Sequence, residues 1–253
     1  MSRGEIGLLT ELYQDVLVRG HVTASGKSHC AERYQLLRPV FESTAKPCRV
    51  LDFGANLGYF SFRIATEFDA TVVMIDESEE LRDLCITNNL SSTVYLRRHC
   101  SASDLDFLGK LEHFDVVLAL NVLHHFKAWR RAVDAVLALG DRVVIQTPGA
   151  DDLLANDSLI ARQLVTYLLS LSPTLLEQPR SHTTSGGHRP IFVFEQEKYA
   201  RASFEMGVKL VTLAHFNCVY PADIEFSEQY RRCCAEGHRD CVLDRVGIVH
   251  RVA

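Results

Sequence analysis

Apolar positions recur at helical spacing over residues 5–18 and 31–41, ahead of a series of short, continuously apolar segments. The first of these, Arg49-Val50-Leu51-Asp52-Phe53, stops at Gly54, after which Leu57, Phe60, Ile64 and Ala65 restore a helical period. The alternation then repeats, with strand signals at 71–75, 94–96, 114–120 and 142–146 and helical ones at 79–88 and 128–139. Continuous apolar runs separated by helices indicate parallel strands covered on both faces. The pattern therefore predicts a doubly wound α/β fold, with residues 1–45 as an N-terminal helical cover and 46–197 as the main domain.

Beyond Pro148-Gly149 the rhythm changes. A helix is predicted over 158–170, followed by strand signals at 175–177 and 191–194. The segment joining those two strands is rich in Ser, Thr, Gly and His and carries no helix, so the natural arrangement is an antiparallel hairpin. Residues 198–253 form an extension whose strand signal at 208–213 and helix signal at 226–234 follow no βαβ rhythm.

A chain of 253 residues has room for one large domain or one domain with an appendage. Its 47% hydrophobic and 23% charged residues exclude disordered and coiled-coil classes. The longest uncharged stretch, 163–176, is too short and polar for a membrane span, and Glu5 and Glu11 interrupt any secretory apolar core. A cytoplasmic protein with no membrane partner is expected, its eight cysteines mostly reduced and packed. A formal charge of −5 provides no global field for long nucleic acid.

The chemistry concentrates where the first strand turns into a helix, at Asp52-Phe53-Gly54-Ala55-Asn56-Leu57-Gly58. An open parallel sheet binds its ligand outside the carboxyl ends of its strands, and Gly54 and Gly58 let the backbone pass close to it. Asp52 is suited to an ammonium group and unsuited to a phosphate. Asn56 stands where a dinucleotide fingerprint needs its second glycine, which argues against a nicotinamide site. Asp76, closing the second strand, is placed to accept both hydroxyls of a ribose.

The run from Val50 to Ser61, together with Asp76, resembles the class I S-adenosylmethionine-dependent methyltransferases over about residues 30–195. The resemblance implies a Rossmann-like seven-stranded sheet with an antiparallel last strand, and S-adenosylmethionine as cofactor. It implies that Asp52, Gly54, Asn56 and Gly58 serve the methionine part, Asp76 the ribose, and the segment from Ser101 to Asp104 the adenine; Ser103 and Asp104 are also candidates to cap the next helix. Asn121-Val122-Leu123-His124-His125-Phe126 resembles the post-strand motif of small-molecule methyltransferases, which places Asn121 beside the methyl donor and His124 or His125 near the acceptor. A histidine there suits an acceptor that must lose a proton.

The segment from Thr183 to Phe194, with its His188-Arg189-Pro190, resembles the final hairpin of RNA methylphosphate capping enzymes and of the domain that methylates a terminal phosphate on bacterial O-antigen chains. Leu12-Tyr13-Gln14 and Arg33-Tyr34 are loosely similar to the latter. These likenesses imply an oxygen acceptor on a phosphate-bearing small molecule or glycan end, gripped by Arg189, with His182 and His188 on the same loop. The alternatives are a hydroxyl or nitrogen of a metabolite with His125 as base, an RNA end, a catalytically silent cofactor-binding scaffold, and an Arg189 that merely precedes an edge strand blocked by Pro190.

Three other patterns carry less. Ser25-Gly26-Lys27-Ser28 is out of register with a P-loop, because His21 stands where its first glycine belongs. His238-Arg239-Asp240 lacks the Asn of a kinase catalytic loop, Arg245 being in its place. Cys233, Cys234, His238 and Cys241, with His215 and Cys218, match no ordinary zinc module, and no metal is expected.

Overall fold

Parity along the strands decides which residues face which helices. In β3 (Cys48–Phe53), Val50 belongs to one buried cluster and Leu51 and Phe53 to another; β4 (Ala70–Asp76) repeats this with Val72 and Met74 against Val73 and Ile75. Successive strand side chains point to opposite faces, so each strand contributes to two cores. α1 (Cys30–Glu42), α2 (Tyr59–Glu67) and α3 (Glu79–Asn88) cover the first face; α4 (Ala102–Leu111), α5 (Trp129–Leu137) and α6 (Ser158–Ser170) cover the second. The computed structural model describes residues 12–149, 158–177, 179 and 188–195, and the backbone path of 241–243 and 249–251.

With β5 (Thr93–Arg97), β6 (Phe114–Leu120), β7 (Gly140–Gln146), β8 (Thr174–Glu177) and β9 (Ile191–Glu195), the central seven strands run in the order β5-β4-β3-β6-β7-β9-β8. Each neighbouring pair from β5 through β4, β3 and β6 to β7 is parallel, and β9 is antiparallel to both β7 and β8. The predicted doubly wound sheet and its antiparallel hairpin are therefore present. Two strands beyond the predicted seven, β10 (Cys241–Leu243) and β11 (Val249–Arg251), extend the sheet to nine at the β5 edge. The strand and helix signals at 208–213 and 226–234 lie outside the described residues.

The N-terminal segment departs from expectation. α1 covers the sheet, but the helix predicted over 5–18 does not extend through its C-terminal end: β1 (Val16–Val18) and β2 (His21–Ala24) form a separate antiparallel hairpin. Its two-residue loop, Arg19-Gly20, has φ of 49° and 81°, the left-handed pair whose twist matches a tight hairpin. Asn88, at the end of α3, accepts from the Arg19 amide at 2.7 Å and donates to the Leu17 carbonyl at 2.9 Å, anchoring the hairpin to the main body. Leu17 is the residue of β1 that enters the core.

Among the described residues no helix is long and apolar enough to cross a membrane. The four described cysteines, Cys30, Cys48, Cys85 and Cys100, are free.

Candidate functional site

A cavity of about 950 Å³ opens at the carboxyl ends of β3, β4, β5 and β6, where the order of connections reverses between β3 and β6. Gly54, Asn56 and Asp76 form one side of it, Ser101 and Ala102 another, Asn121, His124 and His125 a third, and Tyr13, Gln14 and Arg189 close the far end. Segments distant in sequence are thus brought to one space.

The turn after β3 alternates its handedness. Gly54, Asn56 and Gly58 take φ of 78°, 56° and 74°. Gly54 is doubly constrained, since an added Cβ would lie 2.8 Å from Val122 Cβ in the cavity wall. Asn56 occupies the left-handed region that asparagine tolerates better than most side chains, so its presence costs the turn little. Its amide donates to Asp76 Oδ2 at 2.8 Å, while Asp76 Oδ1 accepts from the Glu77 and Ser78 amides at 2.8 and 3.0 Å. Burial raises the Asp76 pKa, and those three amides oppose the rise. The carboxylate is thereby fixed in orientation before any ligand arrives.

Asp52 and Gly58 do not reach the cavity wall. Asp52 shares its sheet face with Val50, the face that α2 covers, so its carboxylate meets Ser61 Oγ, which donates to it at 2.6 Å. Burial pushes its pKa up to about 6, against the lowering effect of that hydrogen bond. Gly58 is required by packing: a Cβ would lie 2.7 Å from Leu81 and 2.9 Å from Phe62. Both residues stand behind the turn and shape it.

Ser101 lies on the wall, but its hydroxyl serves α4. It is the N-cap, with the hydroxyl paired to Asp104 in a reciprocal capping box, and Asp104 also accepts from Arg98 at 2.9 Å. The cap predicted at Ser103 and Asp104 therefore starts at Ser101. What this wall offers a flat ring is apolar surface from Cys100, Ala102 and Phe126.

Asn121, at φ 61°, follows β6. Its Nδ2 donates to Gln146 Oε1 at 2.8 Å, which leaves Oδ1 as the end without a protein partner. Gln146, itself buried, donates onward to the Arg189 carbonyl at 3.2 Å. His124 and His125 lie in a single 3-10 turn with ring centroids 3.9 Å apart and planes tilted by 41°; His124 is half-buried and His125 exposed.

Arg189 is 9% exposed and lies ahead of an interior strand, β9, with neighbours on both sides. The alternative of a surface arginine ahead of an edge strand is thus excluded. His188 is exposed, and His182 lies outside the described residues, as do all of Cys218, Cys233, Cys234, His215 and His238. Among the described residues no group of metal ligands is present.

Tyr13, Gln14 and Gln146 owe their places to contacts that sequence spacing does not show. Gln14 Oε1 accepts from the Leu57 and Tyr59 amides, both at 3.3 Å, so it braces the glycine turn from outside. The P-loop-like segment has a different use: Lys27 and Ser28 amides donate to the Leu12 and Tyr13 carbonyls at 3.0 Å, and a Cβ on Gly26 would strike the Gln14 backbone at 2.3 Å. The glycine allows one backbone to lie against another and so fixes Tyr13 and Gln14 at the cavity.

The sequence matches the model of a methyltransferase domain over residues 26–206. The chain belongs to this methyltransferase family. The fold of this methyltransferase is similar to that of WbdD, a bifunctional kinase-methyltransferase, with a TM-score of 0.60 and 21% identity over 74% of this chain and 46% of the other. It is similar also to the N-terminal domain of EvdMO1, solved with SAH bound, with a TM-score of 0.53 and 15% identity over 74% of this chain and 92% of that domain. The chain spans just under half the length of WbdD, and at these identities the likeness is one of fold. No curated protein matches it in sequence. The matched region is a methyltransferase domain, for which S-adenosylmethionine is the cofactor. The cavity suits that cofactor: a fixed carboxylate at the end of β4, a glycine where a side chain would fill the cradle, and the Asn56 and Asn121 Oδ1 atoms buried without protein partners.

Proposed function

We propose that this methyltransferase transfers its methyl group to an oxygen of a terminal phosphate on a small molecule or glycan end. The observation that supports this reading above others is Arg189: a buried arginine in the cavity wall whose backbone carbonyl accepts from Gln146, itself bonded to Asn121, so that the residue's place relative to the donor end is set. A planar guanidinium gives bidentate recognition of a phosphate. When bound, the cofactor would supply an electrophilic methyl, a phosphate oxygen taking its carbon as the S–C bonding pair leaves with sulfur.

In this reading Asp76 accepts the ribose hydroxyls, and the Gly54 and Asn56 turn cradles the methionine part, with Asp52 acting on the ammonium group from behind it. Ala102, beside the Ser101 cap, and Phe126 flank the adenine. Asn121 Oδ1 faces the donor, Arg189 orients the acceptor, and His124 and His125 help exclude water at the rim. An anionic oxygen needs no base, so positioning and desolvation suffice. A cytoplasmic site of action and the absence of a long nucleic-acid partner belong to the same proposal, supported by the acidic charge balance and the free cysteines.

A second reading, methylation of a metabolite hydroxyl or nitrogen with His125 as base, is supported by the two imidazoles in the wall. Steady-state transfer with Arg189→Ala and His125→Ala separates the two. The phosphate reading expects Arg189→Ala to raise the acceptor KM about 30-fold and His125→Ala to stay within about threefold. A His125→Ala rate loss recovered at high pH, with Arg189→Ala near normal, would establish the metabolite reading. SAH binding without transfer to phosphorylated, hydroxylated or RNA-end acceptors would mark a silent scaffold.

A further inference from the structure

The cofactor placement above leaves one charged group without a partner, the methionine carboxylate. Asp76 and Glu77 make the ribose side of the cavity unfavourable for an anion, which leaves the carboxylate the side of the glycine turn away from them. α2 begins there, and its N-cap, Gly58, has no side chain with which to cap it. Gln14 does this from 45 residues away: its Oε1 accepts from the Leu57 and Tyr59 amides. Of the two ends of a carboxamide the oxygen alone can accept from N–H groups, so the orientation of the side chain is fixed. Gln14 is 4% exposed and lines the cavity, so the Nε2 end is the one left to a ligand; among the described residues nothing accepts from it. The main chain here is clamped, with Asp15 Oδ1 accepting from the Gly26 amide at 2.7 Å and the Leu12 and Tyr13 carbonyls from the Lys27 and Ser28 amides. A donor held in place costs a ligand little ordering, and an amide whose oxygen already accepts two bonds is polarised into a stronger donor.

We propose that Gln14 recognises the carboxylate of the cofactor: its Nε2 donates to the methionine carboxylate, while its Oε1, by occupying the Leu57 and Tyr59 amides, takes the place of a direct anion contact at the start of α2. This rests on the methionine part lying at the glycine turn and is independent of the acceptor. The N-terminal segment thus belongs to the cofactor site as well as covering it, and discriminates the intact amino-acid end of the cofactor from one that lacks its carboxylate.

The test titrates SAH, and the SAH analogue in which hydrogen replaces the carboxylate, calorimetrically into the full chain at neutral pH. The native protein is expected to bind SAH about 30-fold or more tightly than the analogue. Gln14→Glu keeps an oxygen for the two amides and sets an anion where the donor stood, so it should weaken SAH about a hundredfold and leave the analogue within about threefold of native. Gln14→Met, which removes donor and brace together, should cut the preference for SAH to within about threefold. With a purely structural Gln14, Gln14→Glu would leave both ligands near native and Gln14→Met would weaken both alike; either result overturns the proposal. Failure of Gln14→Glu to fold leaves the decision to Gln14→Met on the same terms. Equal binding of the two ligands by the native protein overturns the proposal and leaves the cofactor standing, and binding of neither overturns both. Arg189→Ala should keep the preference; its loss there, with both Gln14 variants keeping it, would give the carboxylate to Arg189 and overturn this proposal together with the phosphate reading.

Discussion

At the glycine end of the cavity, Gly54, Asn56 and Asp76 come from two adjacent strands and the turns that follow them, and Asp76 has three backbone amides to hold it. At the arginine end, Tyr13 and Arg189 come from an irregular N-terminal segment and the approach to the antiparallel strand. The first end holds its carboxylate with backbone amides and stands ready in a fixed geometry, with Asn56 Oδ1 left open to a ligand. The second is placed by partners outside its own segments, the Tyr13 carbonyl accepting from the Ser28 amide and the Arg189 carbonyl from Gln146. Rigid recognition of an invariant cofactor can thus be written into local backbone, whereas recognition of a particular acceptor is assembled from long-range contacts.

The sharpest break of this contrast is Gly54→Ala. A Cβ there meets Val122 and the positive φ adds strain, so a stability loss of about 3 kcal/mol and a hundredfold or greater loss of SAH affinity are expected, read by melting and calorimetry. Asp76→Ala comes next: about a hundredfold weaker SAH binding with the acceptor KM within about twofold, provided the two ends are as separate as their hydrogen bonds indicate. Equal damage to both ligands would refute that separation.

Gln146→Leu examines the link. It leaves the Asn121 amide and the Arg189 carbonyl each without a buried partner, so a loss of about 2 kcal/mol in stability is expected, with both SAH affinity and acceptor KM worsened severalfold. An effect on one end alone would show that Gln146 does not couple them.

The pH dependence offers a smaller effect with a definite sign. The folded-state pKa of Asp52, about 6, lies above the roughly 3.9 of an unfolded aspartate. Stability gained by keeping it neutral is full below about pH 4 and is lost as pH rises toward the folded value. An ammonium ligand favours the ionised carboxylate, so SAH affinity should rise between pH 5 and 7, measured by calorimetry. Ser61→Ala removes the hydrogen bond that lowers this pKa and should move the rise to higher pH. Smallest of all, Leu159→Gln on the exposed face of α6 should change stability by less than about 0.5 kcal/mol and transfer not at all.

Much of the scaffold was legible from residue pattern. The runs at 114–120 and 158–170 coincide with β6 and α6, because a strand buried on both faces and a helix of several turns each leave a long, uniform signature. The hairpin of β1 and β2 was misread, since Val16-Leu17-Val18 is too short to distinguish a strand from the end of a helix and only the Arg19-Gly20 turn decides it. At the site, Gly54, Asn56, Asp76 and Asn121 could be proposed because they follow strand ends at fixed offsets. Gln14 and Gln146 could not be located that way, because each acquires its place through partners far along the chain.

The sequence by itself determined the doubly wound architecture, the glycine turn and the family, all of which depend on periodicity and short-range spacing. Only the tertiary structure decided that Asp52 faces Ser61 and does not wall the cavity, that Arg189 precedes an interior strand, and that Tyr13, Gln14 and Arg189 line the same cavity. The reason is that sheet face, strand order and the meeting of distant segments are set by packing of the whole chain, and no local spacing records them.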